Sequence, residues 1–330
     1  MSVNIKGRSL LTLRDYSSEE IFFLIDYAIS LKAKKRAGIH GQGLKGKNII
    51  LIFEKASTRT RCAFEVAVYD EGGNVTFLTN SQMGKKESIE DTAKVLGRYY
   101  DGIEFRGFHQ ETVEIIAKHA GVPVWNGLTD LYHPTQILAD IMTLKERVKK
   151  PFSDMKIAFI GDARNNMGNS FMIGAAKTGI TFSAVSPPNL FPAEEIIGYA
   201  RHTAAQTGAK IIITDDIAGG VRDADAIYTD VWASLGEEDK LTERIASLRP
   251  YKVDSELMEQ TGNPETLFMH CLPAFHDTET TIGKRVFDDH GLDSMEVSDE
   301  VFRSRQSAVF DQAENRMHTI KAVMLAAIGN

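Results

Sequence analysis

Short apolar runs recur along the chain, each ending in a polar loop that leads into an amphipathic stretch. This alternation constrains the fold more than any other feature. NIILIF (48–53) precedes a helix that is expected to end at Gly72-Gly73. NVTFLT (74–79) precedes the loop NSQMGKKE and a helix from about Ser88 to Tyr100, where Ser88 with Asp91 resembles a capping box. GIEFRG (102–107) precedes a helix from about Gln110 to His119, and VPVWNG (122–127) leads through LTDLYHP into QILADIMTLKERV, with Pro134 in the first turn. Unbroken apolar strands alternating with helices call for parallel sheets covered on both faces.

The stretch Lys149-Lys150-Pro151-Phe152-Ser153 reads as a boundary, after which the pattern restarts. MKIAFI (155–160) precedes GDARNNMGNS and an apolar helix; ITFSAV, AKIIIT, AIYTDV and TLFMHC follow as further strands. The expectation is an α/β protein of two doubly wound domains, 1–150 and 151–311. Each has a central parallel sheet, helices join them, and the active site lies in the cleft between. A length of 330 residues suits two such domains. The last segment, 312–330, places Ala313, Met317, Ile320, Met324 and Ala327 on one helical face and is expected to pack back on the first domain.

The formal charge of −7 gives no basis for binding nucleic acid or an anionic membrane. No apolar stretch approaches the ~20 residues that span a bilayer. The opening MSVNIKGRSLLTLRDYSSEE lacks the apolar run of a signal peptide, and Cys62 and Cys271 alone cannot make a disulfide framework. A cytoplasmic location is expected.

In open parallel sheets ligands bind beyond the carboxyl ends of the strands. The polar clusters fall there: Ser57 to Arg61, Gln82, Arg106, His133 to Gln136, Asn166, Asp230 to Gly236, and His270-Cys271-Leu272-Pro273. The densest is STRTR, directly after NIILIF. A helix beginning at Thr58 exposes backbone N–H groups with a partial positive charge; hydroxyls and two guanidiniums around Thr60 make that corner an anion site suited to phosphate. A nucleotide P-loop is not indicated, because G-x-x-x-x-G-K-[ST] is absent. GDARNNMGNS lacks the G-x-G-x-x-G spacing, and the next strand ends in Ser186-Pro187 without an acidic residue, which argues against a dinucleotide cofactor. His270, Cys271 and His276 could suggest a thiol nucleophile or a zinc site. Nothing nearby marks an oxyanion hole, and a fourth ligand at metal spacing is missing. No metal and no cofactor are expected.

FEKASTRTR, FRG, HPTQ, D-x-x-x-S-x-G and HCLP, in this order over nearly the whole chain, resemble the ornithine branch of the aspartate/ornithine carbamoyltransferase family, as does the tail DQAENRMHTIKAVM. The resemblance implies transfer of a carbamoyl group from carbamoyl phosphate to the δ-amine of L-ornithine, giving citrulline and phosphate, in arginine synthesis or, reversed, in its breakdown. It assigns the phosphate to Ser57, Thr58, Arg59 and Thr60 with Arg106, and to Gln82 from a neighbouring subunit. His133 and Gln136 would reach the carbamoyl group, and Arg316 with the carbonyls of Cys271 and Leu272 would orient it. Asn166 and the backbone at Leu235 would meet the α-carboxylate of ornithine; Asp230 with Ser234 would meet its α-ammonium. Arg106, His133, Cys271 and Arg316 are the implied catalytic residues, and the implied assembly is a trimer or a multiple of trimers. Leu235 stands where the family commonly has Met, an apolar exchange of similar volume. Putrescine, or another amine or amino acid, is the alternative acceptor; putrescine, with no α-carboxylate or α-ammonium, would leave Asp230 and Asn166 without a purpose.

Overall fold

The computed structural model describes residues 3–233 and 240–330. It divides into two units, one of Met1–Leu144 with Ala313–Asn330 and the other of Lys145–Gln312.

The first unit opens with α1 (Ser18–Arg36), which starts in a reciprocal capping box: Ser17 accepts from the Glu20 amide and Glu20 accepts from the Ser17 amide. Its buried Ile21, Leu24, Ile25, Ala28 and Leu31 recur at three and four residues, the spacing of one helical face. NIILIF forms β1 (Asn48–Phe53), buried from Ile49 to Phe53. Then come α2 (Thr58–Tyr69), β2 (Asn74–Thr79), α3 (Ile89–Tyr99), β3 (Gly102–Arg106), α4 (Gln110–Ala120), β4 (Val124–Leu128) and α5 (Pro134–Arg147). The strands pair in parallel in the order β2-β1-β3-β4.

Helix α2 stops at Tyr69, short of the glycine pair expected to close it. Gly72 has φ +76°, and a Cβ on Gly73 would lie 2.7 Å from Val68 Cγ1. Both glycines belong to the turn beyond the helix, one for its backbone angle and one for its tight approach. At α3 the Ser88 side chain accepts from the Asp91 amide at 3.0 Å and its hydroxyl donates to the Asp91 carboxylate at 2.7 Å.

The C-terminal helix, Val309–Ile328, is bonded into this unit by buried and half-buried polar contacts. Lys32 Nζ donates to Asn315 Oδ1 at 2.7 Å, Asn315 Nδ2 to Thr143 Oγ1 at 2.9 Å, and Lys321 Nζ to Asp70 Oδ2 at 2.6 Å. A buried polar group without such partners would cost on the order of 1–3 kcal/mol. These pairs therefore fix the register of the helix.

In the second unit β5 (Lys156–Ile160), α6 (Asn166–Thr178), β6 (Thr181–Val185), α7 (Glu194–Thr207), β7 (Ile211–Thr214), α8 (Ile217–Val221) and β8 (Ala226–Thr229) succeed one another. After α9 (Leu241–Leu248), α10 (Ser255–Gln260) and β9 (Leu267–His270) come α11 (Thr281–His290) and α12 (Asp299–Phe302). This sheet too is parallel, in the order β7-β6-β5-β8-β9. Its core includes Ala158, Ile160, Ile227, Phe268 and Val297. Among the described residues no helix is long and apolar enough to cross a membrane.

Candidate active site

Each sheet reverses its winding once: between β1 and β3 in the first unit, and between β5 and β8 in the second. At such a point the loops beyond the strands diverge to opposite faces and leave a crevice. Ser57 to Thr60 and Arg106 lie at the first of these places and Asn166 and Asp230 at the second; Gln82 follows β2, His133 and Gln136 follow β4, Cys271 and Leu272 follow β9, and Arg316 is on the C-terminal helix.

In the first unit Ser57 is the N-cap of α2, its backbone extended and its Oγ accepting from the Thr60 amide. The cap aims the first turn so that Thr60 is fully buried. Thr60 Oγ1 is a hub. Arg316 Nη2 donates to it at 2.8 Å, Ser57 Oγ at 3.1 Å, and Arg106 Nη1 reaches it at 3.4 Å. A hydroxyl oxygen has two lone pairs, and the two shorter contacts fill them. The hydroxyl hydrogen is then left to donate away from these partners. Arg61, the other arginine of the motif, pairs with Glu65 at 2.9 Å and lies 3.7 Å over the Phe77 ring. It does not join Arg106 and Arg316 at Thr60.

His133 is buried at the turn before α5, its Nδ1 3.4 Å from Thr135 Oγ1. Burial holds the imidazole well below its usual pKa, and Arg316, Arg106 and Arg59 push the same way. It is a neutral ring at physiological pH. Gln136, three residues on, is also buried and donates through Nε2 to Asp140 Oδ1 at 2.7 Å. Because the carboxylate must accept, the amide orientation is fixed, and Gln136 Oε1 is a buried acceptor with no hydrogen-bond donor among the described residues. A network of Gln110, Asn126, Thr129 and Tyr132 braces this corner, Thr129 Oγ1 donating to Gln110 Oε1 at 2.7 Å. Gln82 is exposed, and its own carbonyl caps the turn by accepting from Lys85, Lys86 and Glu87 amides. Beside Ser57, Thr58 and Arg61 lies a cavity of about 670 Å³ that also touches Lys85 and His109; Gln82 is not part of its lining.

In the second unit Asp230 follows β8. Its Oδ1 accepts from the Val231 amide at 2.9 Å and from Cys271 Sγ at 3.2 Å, and its Oδ2 from Asn165 Nδ2 at 3.2 Å. Burial raises its pKa above the ordinary value, opposed by His270 and by the Cys271 and Val231 hydrogen bonds. Asn166 opens α6 and its neighbour Asn165 caps it, accepting from the Gly168 amide at 2.8 Å. Cys271 and Leu272 follow β9. Leu272 adopts φ +59°, a conformation that costs a β-carbon-bearing residue about 1 kcal/mol or more. It is held there by its amide donating to His270 Nδ1 at 2.9 Å. The other ring nitrogen of His270 faces Glu296 Oε1 at 3.3 Å, and both residues are fully buried. His276 does not join His270. It pairs with Asp299 at 2.6 Å and stacks on Phe302, whereas Asp230 takes the place beside Cys271. Ser234 and Leu235 lie outside the described residues.

The family model for the carbamoyl-P binding domain of aspartate/ornithine carbamoyltransferase matches residues 8–146, and the model for its Asp/Orn binding domain matches 153–327. The chain belongs to the aspartate/ornithine carbamoyltransferase family. A curated relative from Clostridium perfringens (strain 13 / Type A), named a catabolic ornithine carbamoyltransferase, is 61% identical over 330 residues and all of both chains. The catabolic ornithine carbamoyltransferase 1 of Staphylococcus epidermidis is 56% identical over 99% of each. Among solved structures, the ornithine carbamoyltransferase from Pyrococcus furiosus superposes with a TM-score of 0.90 at 40% identity, covering 99% of both chains.

Against this family background three residues stand out that the motifs did not indicate. Asn165 and Glu296 hold Asp230 and His270 in place. Glu104, in the middle of β3, is fully buried beside the Thr60 hub. The only signal for it was a charged residue inside an otherwise apolar strand.

Proposed function

We propose that the chain transfers the carbamoyl group of carbamoyl phosphate to the δ-amine of L-ornithine, giving L-citrulline and phosphate. The observation that carries this reading is the meeting of Arg106 and Arg316 at the buried Thr60 hydroxyl, with the charge of Arg59 also acting on buried His133. A buried corner with that much positive charge, at a helix N-terminus, is complementary to a phosphate dianion.

In this reading Ser57, Thr58, Arg59 and Thr60 hold the phosphate with Arg106, and Gln82 from a second copy completes the cradle, which makes the working form a homo-oligomer built on a trimer. His133, neutral, donates to the carbonyl oxygen through Nε2 when Thr135 donates to Nδ1. Arg106, Thr60 and Arg316 share the negative charge that develops there, and a single such donor is worth about 3 kcal/mol. Gln136 Oε1 accepts from the carbamoyl NH₂, which the carbonyls of Cys271 and Leu272 orient. Asp230, with Ser234, meets the α-ammonium of ornithine; Asn166 and the Leu235 amide meet the α-carboxylate. The neutral δ-nitrogen attacks the carbonyl carbon, the bond from that carbon to the phosphate oxygen breaks, and the nitrogen loses a proton to the departing phosphate. No protein general base is assigned, so turnover follows the deprotonated fraction of the δ-amine and rises toward alkaline pH.

A citrulline-forming assay with carbamoyl phosphate tests the reading. Ornithine is expected to be carbamoylated and putrescine, which lacks both α-groups, to react far more slowly. Equal rates with the two amines, or none with ornithine, would refute it.

A further inference from the structure

The peptide between Cys271 and Leu272 is held from behind by a buried pair, His270 and Glu296, to which the reading above gives no substrate. That peptide is trans, so its N–H and its C=O point in opposite directions from one plane. The Leu272 N–H donates to His270 Nδ1 at 2.9 Å. The Cys271 carbonyl belongs to the same plane and is therefore aimed away from the imidazole. Leu272 adopts φ +59°, a region that residues with a β-carbon enter only when something holds them there. The bond to Nδ1 is that hold.

The imidazole is itself fixed from two sides. Its backbone amide donates to Gln312 Oε1 at 3.0 Å. With Nδ1 accepting, the ring hydrogen lies on Nε2, which faces Glu296 Oε1 at 3.3 Å. The same carboxylate oxygen accepts from the Phe275 amide at 2.7 Å, and the Met295 amide donates to the Phe275 carbonyl at 2.8 Å. One carboxylate thus holds the ring that opens the HCLPAF turn and the amide that closes it. Its own backbone is tied down, the Glu296 carbonyl accepting from the Val253 amide at 2.9 Å. Both side chains are fully buried. Apolar residues of the same shape would fill that space at no cost in desolvation. The polar pair does what they could not, which is to bond the turn.

We propose that His270 is a positioning residue for carbamoyl transfer: its Nδ1, kept as the acceptor by Glu296 on the far side of the ring, sets the plane of the Cys271–Leu272 peptide and so aims the Cys271 carbonyl at the carbamoyl NH₂. This inference rests on the reading of the Cys271 and Leu272 carbonyls as the groups that orient the carbamoyl group, and deepens it. His270 acts through the backbone, touches no substrate and has no part in holding the phosphate.

The test is a pair of variants of the full-length protein that divide the ring between them. His270→Asn places an amide oxygen where Nδ1 stands, able to accept from the amide two residues on, and gives up the reach to Glu296. His270→Gln reaches Glu296 and gives up the acceptor for Leu272. Both lose the packing of the ring, so the melting temperature is expected to fall in both. The kcat for citrulline formation is expected to be about tenfold lower in His270→Gln than in His270→Asn. The inhibition constant of inorganic phosphate should stay within about twofold of wild type in both, because the anion corner is untouched. A merely structural role would make activity follow the melting temperature whichever residue is present. Equal kcat in the two variants, or a slower His270→Asn, therefore overturns the proposal while leaving the carbamoyltransferase reading intact. Phosphate inhibition that weakens in step with kcat overturns it too. If neither variant folds, nitrogen NMR on the wild type decides: a coupling between the Leu272 amide and an unprotonated Nδ1 is expected, and a hydrogen on Nδ1 overturns the proposal. No citrulline from the wild type and ornithine would overturn the reading of the reaction, and this inference with it.

Discussion

Replacing Thr60 by Val would remove one oxygen from the cradle while keeping the volume of the side chain, and the consequences can be worked from the contacts. Thr60 Oγ1 accepts from Arg316 at 2.8 Å and from Ser57 at 3.1 Å, with Arg106 at a long 3.4 Å. A hydrogen bond from a charged donor contributes about 1.5–3 kcal/mol and a neutral one about 1 kcal/mol, whereas the long contact adds little. Arg316 and Thr60 are both buried, so water does not readily replace the lost acceptor. The expected destabilisation is about 2 kcal/mol, seen as a lower denaturant midpoint at unchanged slope. The effect on activity should be larger. The variant loses the outward hydroxyl donor, about 3 kcal/mol in comparable sites, which is about a hundredfold in kcat/KM. Inorganic phosphate should also inhibit it more weakly, because Arg316 is no longer aimed. Thr60→Ser restores the oxygen and loses only a methyl group, so it should recover most of the activity. The assay is the initial rate of citrulline formation with each substrate varied in turn. If Thr60→Val stayed within about threefold of wild type, or if Thr60→Ser lost as much as Thr60→Val, the hub would have no role in holding the anion.

Ser57→Ala removes the N-cap of α2 and should cost about 1 kcal/mol in unfolding free energy while raising the KM for carbamoyl phosphate; an unchanged KM would separate the cap from the cradle. The raised pKa of Asp230 predicts that it loses its charge at a higher pH than an ordinary aspartate. The KM for ornithine should therefore climb as pH falls, beginning above the usual carboxylate range, and the climb should be absent in Asp230→Asn, whose KM is already high. A matching climb in that variant would point to another group. Mixing Gln82→Ala with Arg106→Ala subunits after mild dissociation should restore activity that neither variant has alone, because one hybrid site per trimer would then be intact; no recovery would count against a site shared between copies.

The parallel sheets were legible in the chain because each strand is a continuous apolar run closed by a polar loop, a pattern that survives without knowledge of its neighbours. The helix cap at Ser57 was legible for the same reason. Ser57, Thr58, Arg59 and Thr60 are consecutive, and a helix cap is a local structure. What escaped the reading was long-range or buried. Helix α1 has a regular face at Ile21, Leu24, Ile25, Ala28 and Leu31 that the motifs drew attention away from. The two arginines of STRTR look equivalent in sequence; the structure separates them, because Glu65 one turn along α2 and the Phe77 ring on β2 capture Arg61. Asn165 and Asn166 are likewise adjacent and chemically identical, yet Asn165 is the one bonded to Asp230, a partner fixed by the β5–β8 pairing. Glu296 is far from HCLP in the chain and meets His270 only through the fold. No local pattern distinguishes these residues from a solvated surface residue.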